Sequence, residues 1–121
     1  TLQHEYINDK YPLLLMKYCT SIAACSSFPV IKYWESTAAG CLTFMEVTEK
    51  NQANILGFND GKNAIFINEK NYEKKLSDYI SDPNNAKWSE IAENGRYYTM
   101  NNLTNDVASN SLVEIFREYI K

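Results

Sequence analysis

Apolar residues recur along the chain in two patterns, and together these predict a mixed α/β fold. In residues 8–18 the apolar positions fall at i, i+3, i+4 and i+7, which is the spacing of one helical face, with Asn8 or Asp9 as the cap. The short apolar runs at residues 21–26, 41–45 and 64–67 are bounded by polar or turn-forming residues, as strands buried on both faces are. The pattern therefore predicts three strands, with one helix before the first strand.

Further helices are predicted between and after these strands. One begins at Pro29, whose fixed φ suits the first helical turn, and ends before Gly40, which suits the left-handed position after a helix. After the third strand the chain is wholly helical. Asp82 and Pro83 are predicted to follow one amphipathic helix and to open the next as its N-cap and first residue. The last helix is predicted to begin near residue 104.

The order of these elements, α-β-α-β-β-α-α-α, predicts how they are arranged. Short buried strands that alternate with helices imply a three-layer, Rossmann-like parallel sheet built from right-handed crossovers. With 121 residues, positions 1–121 are predicted to form a single domain. Three strands make a small sheet for five helices. The chain is therefore expected to be the C-terminal part of a larger domain, and to expose apolar surface where further strands would pack.

Composition and charge narrow the classes of function. The net charge of −3 and the pI near 5.1 argue against nucleic acid as a partner, because its binding needs clustered Lys and Arg. No apolar run approaches the roughly 20 residues of a membrane span, and no leader pattern precedes the first helix, so we expect a cytoplasmic protein. The three cysteines are interpreted as reduced, small buried side chains. No metal or cofactor is expected, since ligand-type residues are not clustered.

The stretch "KYWESTAAGC", residues 32–41, carries the candidate chemistry. In open parallel sheets, ligands bind beyond the carboxyl ends of the strands, beside the helices that follow. Lys32 falls in the first turn of the predicted helix, where a cation opposes the helix dipole unless an anion is bound. Glu35 lies about one turn further on and can accept hydrogen bonds from a ribose diol. The alternative is that Lys32 and Glu35 form an exposed i, i+3 ion pair.

Several segments, taken in order, resemble the C-terminal, nucleotide-sugar-binding half of a group 1 glycosyltransferase of the GT-B fold. "KYWESTAAGC" is similar to the K-x-x-E-x-x-A-x-G stretch of that family, and "GFNDGKNAIFIN" to its DG turn and following strand. "DYISDPNNAKWSEIAENGRYY" is similar to its DP…A-x-x-G-R helix. The likeness covers residues 21–120. Within the family, the chain in particular resembles the branch that includes spore-coat-type sugar transferases.

The resemblance implies a transferase domain that binds a nucleoside diphosphate sugar as its substrate. It assigns Glu35 to the second acid of the family's Glu-x7-Glu motif, which holds the donor ribose, and places the first acid at Ser27. Serine cannot supply the charge of that acid, and Val30 replaces the family's usual small residue. The donor-binding residues that the resemblance implies are Ser27, Phe28, Pro29, Val30, Ile31, Lys32 and Glu35.

The resemblance leaves the rest of the reaction outside this chain. In that family the acceptor site and the catalytic base usually belong to the N-terminal domain, so the catalytic residues and the acceptor are unknown here. The fragment is expected to be inactive without that domain, and its exposed surface to pack against it or to self-associate. The alternative, from a different class of protein, is a non-catalytic nucleotide-binding or protein-interaction α/β module.

Overall fold

The computed structural model describes residues 10–120 and contains a three-stranded parallel sheet. Its strands are β1 (Thr20–Ala23), β2 (Leu42–Glu46) and β3 (Ile65–Ile67), in the order β1-β2-β3. Its helices are α1 (Tyr11–Leu15), α2 (Lys32–Ala38), α3 (Tyr72–Ser81), α4 (Ala86–Asn102) and α5 (Asn105–Tyr119). Both strand pairs are parallel, which confirms the predicted sheet and a mixed α/β fold compatible with a Rossmann-like arrangement.

Both faces of the central strand are covered, because all of β2 except its last residue is buried. One face packs in a first cluster with α2 and the loop after β2, whose buried members are Ala23, Tyr33, Met45, Ala53, Phe58 and Ala64. The other face packs in a second cluster against α3 and α4, with Leu42, Phe44, Ile65, Ile67, Trp88 and Ile91 buried. The sheet thus lies between two layers.

Helix α4 reaches both layers, because a glycine lets it pass close to the chain before β3. A methyl group at Gly95 would lie 2.5 Å from the carbonyl oxygen of Asn63, and backbone at that distance cannot yield cheaply. On the α2 side, the hydroxyls of Thr37 and Thr99 share a buried hydrogen bond of 2.6 Å. Gly95 therefore has a structural role in this helix.

Strand β1 is shorter and less buried than predicted. It ends at Ala23 instead of residue 26, because the amide of Cys25 donates to the Glu46 carboxylate (2.9 Å) instead of to a neighbouring strand. β1 also lies at the edge of the sheet, where Ile22 is 46% exposed. The prediction that this strand is buried on both faces is therefore wrong for the described residues.

Two predicted helix starts are also wrong, each by three residues. Helix α2 begins at Lys32, not Pro29, because the loop after β1, held by the bond from Cys25 to Glu46, continues through Ile31. Ile31 is the N-cap and forms no side-chain hydrogen bond there. Helix α4 begins after Asn85, whose side chain accepts from the amide of Lys87 (3.1 Å) and so acts as the N-cap. The Asp82 carbonyl instead accepts the indole N–H of Trp88 (2.8 Å).

The first helix is shorter than its pattern suggested. Helix α1 ends at Leu15, with Pro12 in its first turn as predicted, whereas Tyr18 lies beyond the helix and is 59% exposed. The predicted caps Asn8 and Asp9 lie outside the described residues.

Helix α5 begins where predicted, and most of its residues are exposed. Thr104 is its N-cap and accepts from the amide of Val107 (3.3 Å), and no residue of the helix is buried. Its apolar face is exposed at Leu112, Val113, Ile115, Phe116 and Tyr119. Together with the β1 edge, this face provides the exposed apolar surface that the sequence predicted. Among residues 10–120, no helix combines the length and apolar character that crossing a bilayer requires.

Candidate functional site

The segment that follows β1 is a loop whose backbone amides converge on one sulfur atom. The backbone amides of Ser27 and Phe28 lie near the thiol group of Cys25 and lower the pKa of that thiol. Successive amides directed at one point form a concave site suited to an anion. The structure therefore places two of the predicted donor-binding residues where their N–H groups face an electron-rich atom.

The side chains of this loop divide between solvent and core. Ser27 is exposed, Phe28 is 61% exposed and Ile31 is 56% exposed, whereas Pro29 is half-buried. Val30 packs against the first cluster, which explains a bulky residue where the resembled family has a small one. Thus the polar groups that converge in this loop are backbone amides and not side chains.

Lys32 and Glu35 carry opposite charges on α2, yet they do not pair with each other. Lys32 is exposed at the first residue of the helix, and Glu35 is half-buried one turn later. Within residues 10–120, neither side chain takes part in a salt bridge or a hydrogen bond. The alternative in which these residues form a surface ion pair is therefore wrong for this conformation, and both groups remain available to a ligand.

The structure does not bring all the predicted residues into one cavity. Glu35 lines a cavity of about 200 Å³ between α1 and α2, together with Tyr11, Pro12, Leu15, Met16, Ala38 and Ala39. None of residues 27–32 lines this cavity. The predicted site consequently has two parts, a loop with convergent amides and Lys32, and a small, largely apolar cavity with one carboxylate.

A buried hydrogen-bond network that the sequence analysis missed holds the loop in place. The side-chain amide of Asn51 donates to the carbonyl oxygens of Cys25 (3.0 Å) and Glu46 (2.8 Å). The Tyr33 hydroxyl also donates to the Glu46 carbonyl (2.8 Å). Asn51 is 1% exposed, and Tyr33 is fully buried. The network therefore fixes the ends of β1 and β2 relative to each other.

We predict that this network makes stability sensitive to alkaline pH through Tyr33. Burial, and secondarily the charge of Glu46, raises the pKa of Tyr33 from 10.0 to about 12. Because the folded protein resists ionisation, the stabilisation is fully present below pH 10 and is lost as the pH rises toward 12. Chemical denaturation between these pH values should show a steeper loss for the wild type than for Tyr33→Phe. Equal slopes would contradict the prediction.

A polar cavity lies at the carboxyl ends of β2 and β3, where ligands bind in open parallel sheets. Its volume is about 570 Å³, and its lining residues are Glu46, Val47, Thr48, Glu49, Lys50, Asn68, Glu69 and Lys70. It adjoins the network through Glu46. In the described part of the chain, no group of three or more His, Cys, Asp or Glu side chains is placed to hold a metal ion.

The "DG" turn has a structural role. Asp60 accepts from the amide of Phe66 (2.8 Å) and forms a salt bridge with Lys75 (2.7 Å), while Gly61 has φ +72°. Only a residue without a side chain adopts that backbone readily. This agrees with the interpretation of Asp60 and Gly61 as turn residues.

Chemically, this edge of the sheet offers backbone donors, one free cation and one free carboxylate within a single loop and helix. Groups of these kinds are in general able to bind an anion and a hydroxyl pair. Comparison of the chain with protein-family models, with curated proteins and with solved structures finds no match in any of the three.

Proposed function

We propose that this domain binds a nucleoside diphosphate sugar and serves as the donor-binding half of a GT-B glycosyltransferase of group 1. The observation that carries the proposal is the loop after β1, where the amides of Ser27 and Phe28 converge shortly before Lys32, whose side chain forms no salt bridge within residues 10–120. The unpaired carboxylate of Glu35 lies one turn away on the same helix. The ordered motifs of the sequence support the same function.

Each group has a distinct role in this proposal. The diphosphate is held by the amides of Ser27 and Phe28 and by the charge of Lys32, with the Ser27 hydroxyl as a further donor. Glu35 accepts hydrogen bonds from the ribose hydroxyls, which are charge-assisted and therefore stronger than neutral ones. The same donors stabilise the nucleoside diphosphate as it leaves the sugar, which is the electrostatic part of catalysis.

The proposal assigns sugar transfer to a two-domain protein. The acceptor and the catalytic base are contributed by a second domain, so this chain alone binds the donor without turnover. The exposed edge of β1 and the exposed face of α5 are consistent with further packing partners.

The second candidate, a protein-interaction module without catalysis, is favoured by one observation. Helix α5 presents an apolar face along its length, and none of its residues is buried. A module of this kind would need no nucleotide. Nucleotide titration therefore distinguishes the two candidates, since only the first requires binding.

Replacing Lys32 with Ala is expected to weaken nucleoside diphosphate binding about fivefold, because an exposed ion pair contributes roughly 1 kcal/mol. Calorimetric titration with uridine, guanosine and adenosine diphosphates, and with the matching nucleosides, would measure this. Nucleoside affinity should not change, since Lys32 contacts only the diphosphate.

The control for this test is Lys62→Ala, which removes an exposed lysine at the turn before β3. That variant should bind like the wild type. Absence of binding to all three diphosphates by the wild type would refute the proposed function, and equal weakening by both variants would refute the role of Lys32.

A further inference from the structure

Two of the three cysteines lie opposite each other at the amino ends of β1 and β2. The parallel register pairs Thr20 with Leu42, so the preceding residues, Cys19 and Cys41, face each other across the two strands. The amide of Leu42 donates to the Cys19 carbonyl (2.9 Å), so the backbone of Cys19 is joined directly to the residue that follows Cys41. Neighbouring strands lie about 4.8 Å apart. That separation is within the Cα range that a disulfide spans.

The buried thiol of the pair points toward the backbone of the other cysteine. The Cys41 thiol donates to the carbonyl oxygens of Leu15 (3.4 Å) and Tyr18 (3.3 Å). The Tyr18 carbonyl belongs to the peptide bond that joins Tyr18 to Cys19. Burial raises the pKa of Cys41, and the charge of a Cys19 thiolate raises it further, as expected of two neighbouring sulfur atoms.

The two thiols differ in their access to solvent. Cys41 is 1% exposed, whereas Cys19 is exposed and lines an open cavity of about 470 Å³ at the amino ends of the strands. A small oxidant therefore reaches Cys19 first. The third cysteine, Cys25, follows the carboxyl end of β1 and is more than about 10 Å away along the strand. Because its pKa is lowered, Cys25 is itself open to reaction with peroxide, and it is therefore replaced in the test.

We propose that Cys19 and Cys41 form a disulfide when a peroxide oxidises the protein. The Cys19 thiolate attacks one peroxide oxygen, the O–O bond breaks, and Cys19 sulfenic acid and hydroxide form. The Cys41 sulfur then attacks the sulfur of Cys19, the S–S bond forms, and the oxygen leaves as water with the thiol proton. In sum, two thiols and one hydrogen peroxide give one disulfide and two waters, and the two sulfurs lose two electrons.

The bond changes what holds α1 in place. In the reduced protein the Cys41 thiol donates to the carbonyl of Leu15, the last residue of α1, and to that of Tyr18. A disulfide has no thiol proton, so both hydrogen bonds are lost, while the edge strand β1 becomes covalently tied to β2. Leu15 also lines the cavity that contains Glu35. Loss of the hydrogen bond to Leu15 therefore changes the contacts of a residue that borders this cavity.

The test is thiol counting on the purified full chain after treatment with hydrogen peroxide and then catalase. The protein is unfolded, alkylated with N-ethylmaleimide and weighed by mass spectrometry. The reduced wild type should take up three alkyl groups. Oxidation is then followed in Cys25→Ser, where uptake should fall from two alkyl groups to none with the loss of two hydrogen atoms, and dithiothreitol should restore both.

Variants identify the cysteines involved. Adding Cys19→Ser to Cys25→Ser should leave the Cys41 thiol intact after oxidation, so that one alkyl group is taken up before and after treatment. Since Cys19 is exposed, this variant carries the test even where replacement of the buried Cys41 impairs folding. The proposal would be overturned by a disulfide in Cys19→Ser, by disulfide-linked dimers in place of the internal bond, or by sulfinic acid accumulating at Cys19.

Discussion

Replacing Asn51 with Asp is expected to destabilise the folded domain by about 3 kcal/mol, because the carbonyl oxygens of Cys25 and Glu46 would each lose a hydrogen bond, at roughly 1–3 kcal/mol for each lost bond. The Glu46 carbonyl would keep the hydrogen bond from Tyr33. In the wild type, the Asn51 side-chain amide donates to the carbonyl oxygens of Cys25 (3.0 Å) and Glu46 (2.8 Å). A carboxylate would place a charged oxygen against both of these acceptors in a site that is 1% exposed. The melting temperature should fall by on the order of 10 °C.

The acceptor half of the Asn51 side chain distinguishes Asp from Ala at this position. Its oxygen accepts from the amides of Thr48 and Ala53, both at 3.0 Å, and Asp retains these two bonds while Ala loses them. Both variants lose the two hydrogen bonds that the amide donates, so both should be strongly destabilised. Asn110→Asp, at an exposed position within α5, is the control and should change the free energy of unfolding by about 0.5 kcal/mol or less. Equal stability of Asn51→Asp and the control would exclude a structural role for the network.

Replacing Glu35 with Ala should weaken the binding of nucleoside diphosphates about tenfold or more. The proposed ribose contact comprises one or two charge-assisted hydrogen bonds, each contributing roughly 1.5–3 kcal/mol. Glu35 has no partner in residues 10–120, so its removal breaks no contact that holds the fold. The melting temperature should therefore stay near the wild-type value while the dissociation constant rises.

Two further variants sharpen this test. Glu35→Gln retains a hydrogen-bond acceptor without its charge and should bind with intermediate affinity. Glu90→Ala removes an exposed carboxylate from α4 and should bind like the wild type. If Glu35→Ala binds every nucleotide as tightly as the wild type, Glu35 does not contact the ribose. A 2′-deoxynucleotide should show the same loss in the wild type and no additional loss in Glu35→Ala.

The sheet could be predicted from the sequence because its strands are short apolar runs that stand out locally. The core of β2 is buried on both faces, as continuous apolar runs in parallel sheets are. The exposure of Ile22 could not be predicted in this way, since it depends on β1 being an edge strand and not on its composition. Likewise, the cysteines were expected to be buried, and Cys41 is, but Cys19 is exposed because it precedes the edge strand β1.

The candidate site was only partly predictable for a related reason. Lys32 and Glu35 stand out because charge at the start of a helix is conspicuous, and their lack of pairing agrees with a ligand role. Asn51 gives no such signal, since it is one of many asparagines and all its partners except Thr48 and Ala53 lie in other elements. The start of α2 at Lys32 follows from that long-range network, which keeps the preceding loop out of the helix.

The central claim is that the loop after β1, together with α2, binds the nucleotide, and a nuclear magnetic resonance titration tests it most directly. Backbone amide resonances of the nitrogen-15-labelled chain would be followed as uridine, guanosine and adenosine diphosphate sugars are added in turn. One of them should shift the amides of Ser27, Phe28, Lys32 and Glu35 saturably, and leave those of α5 unchanged. Shifts confined to other parts of the chain, or none with any nucleotide sugar, would contradict the claim.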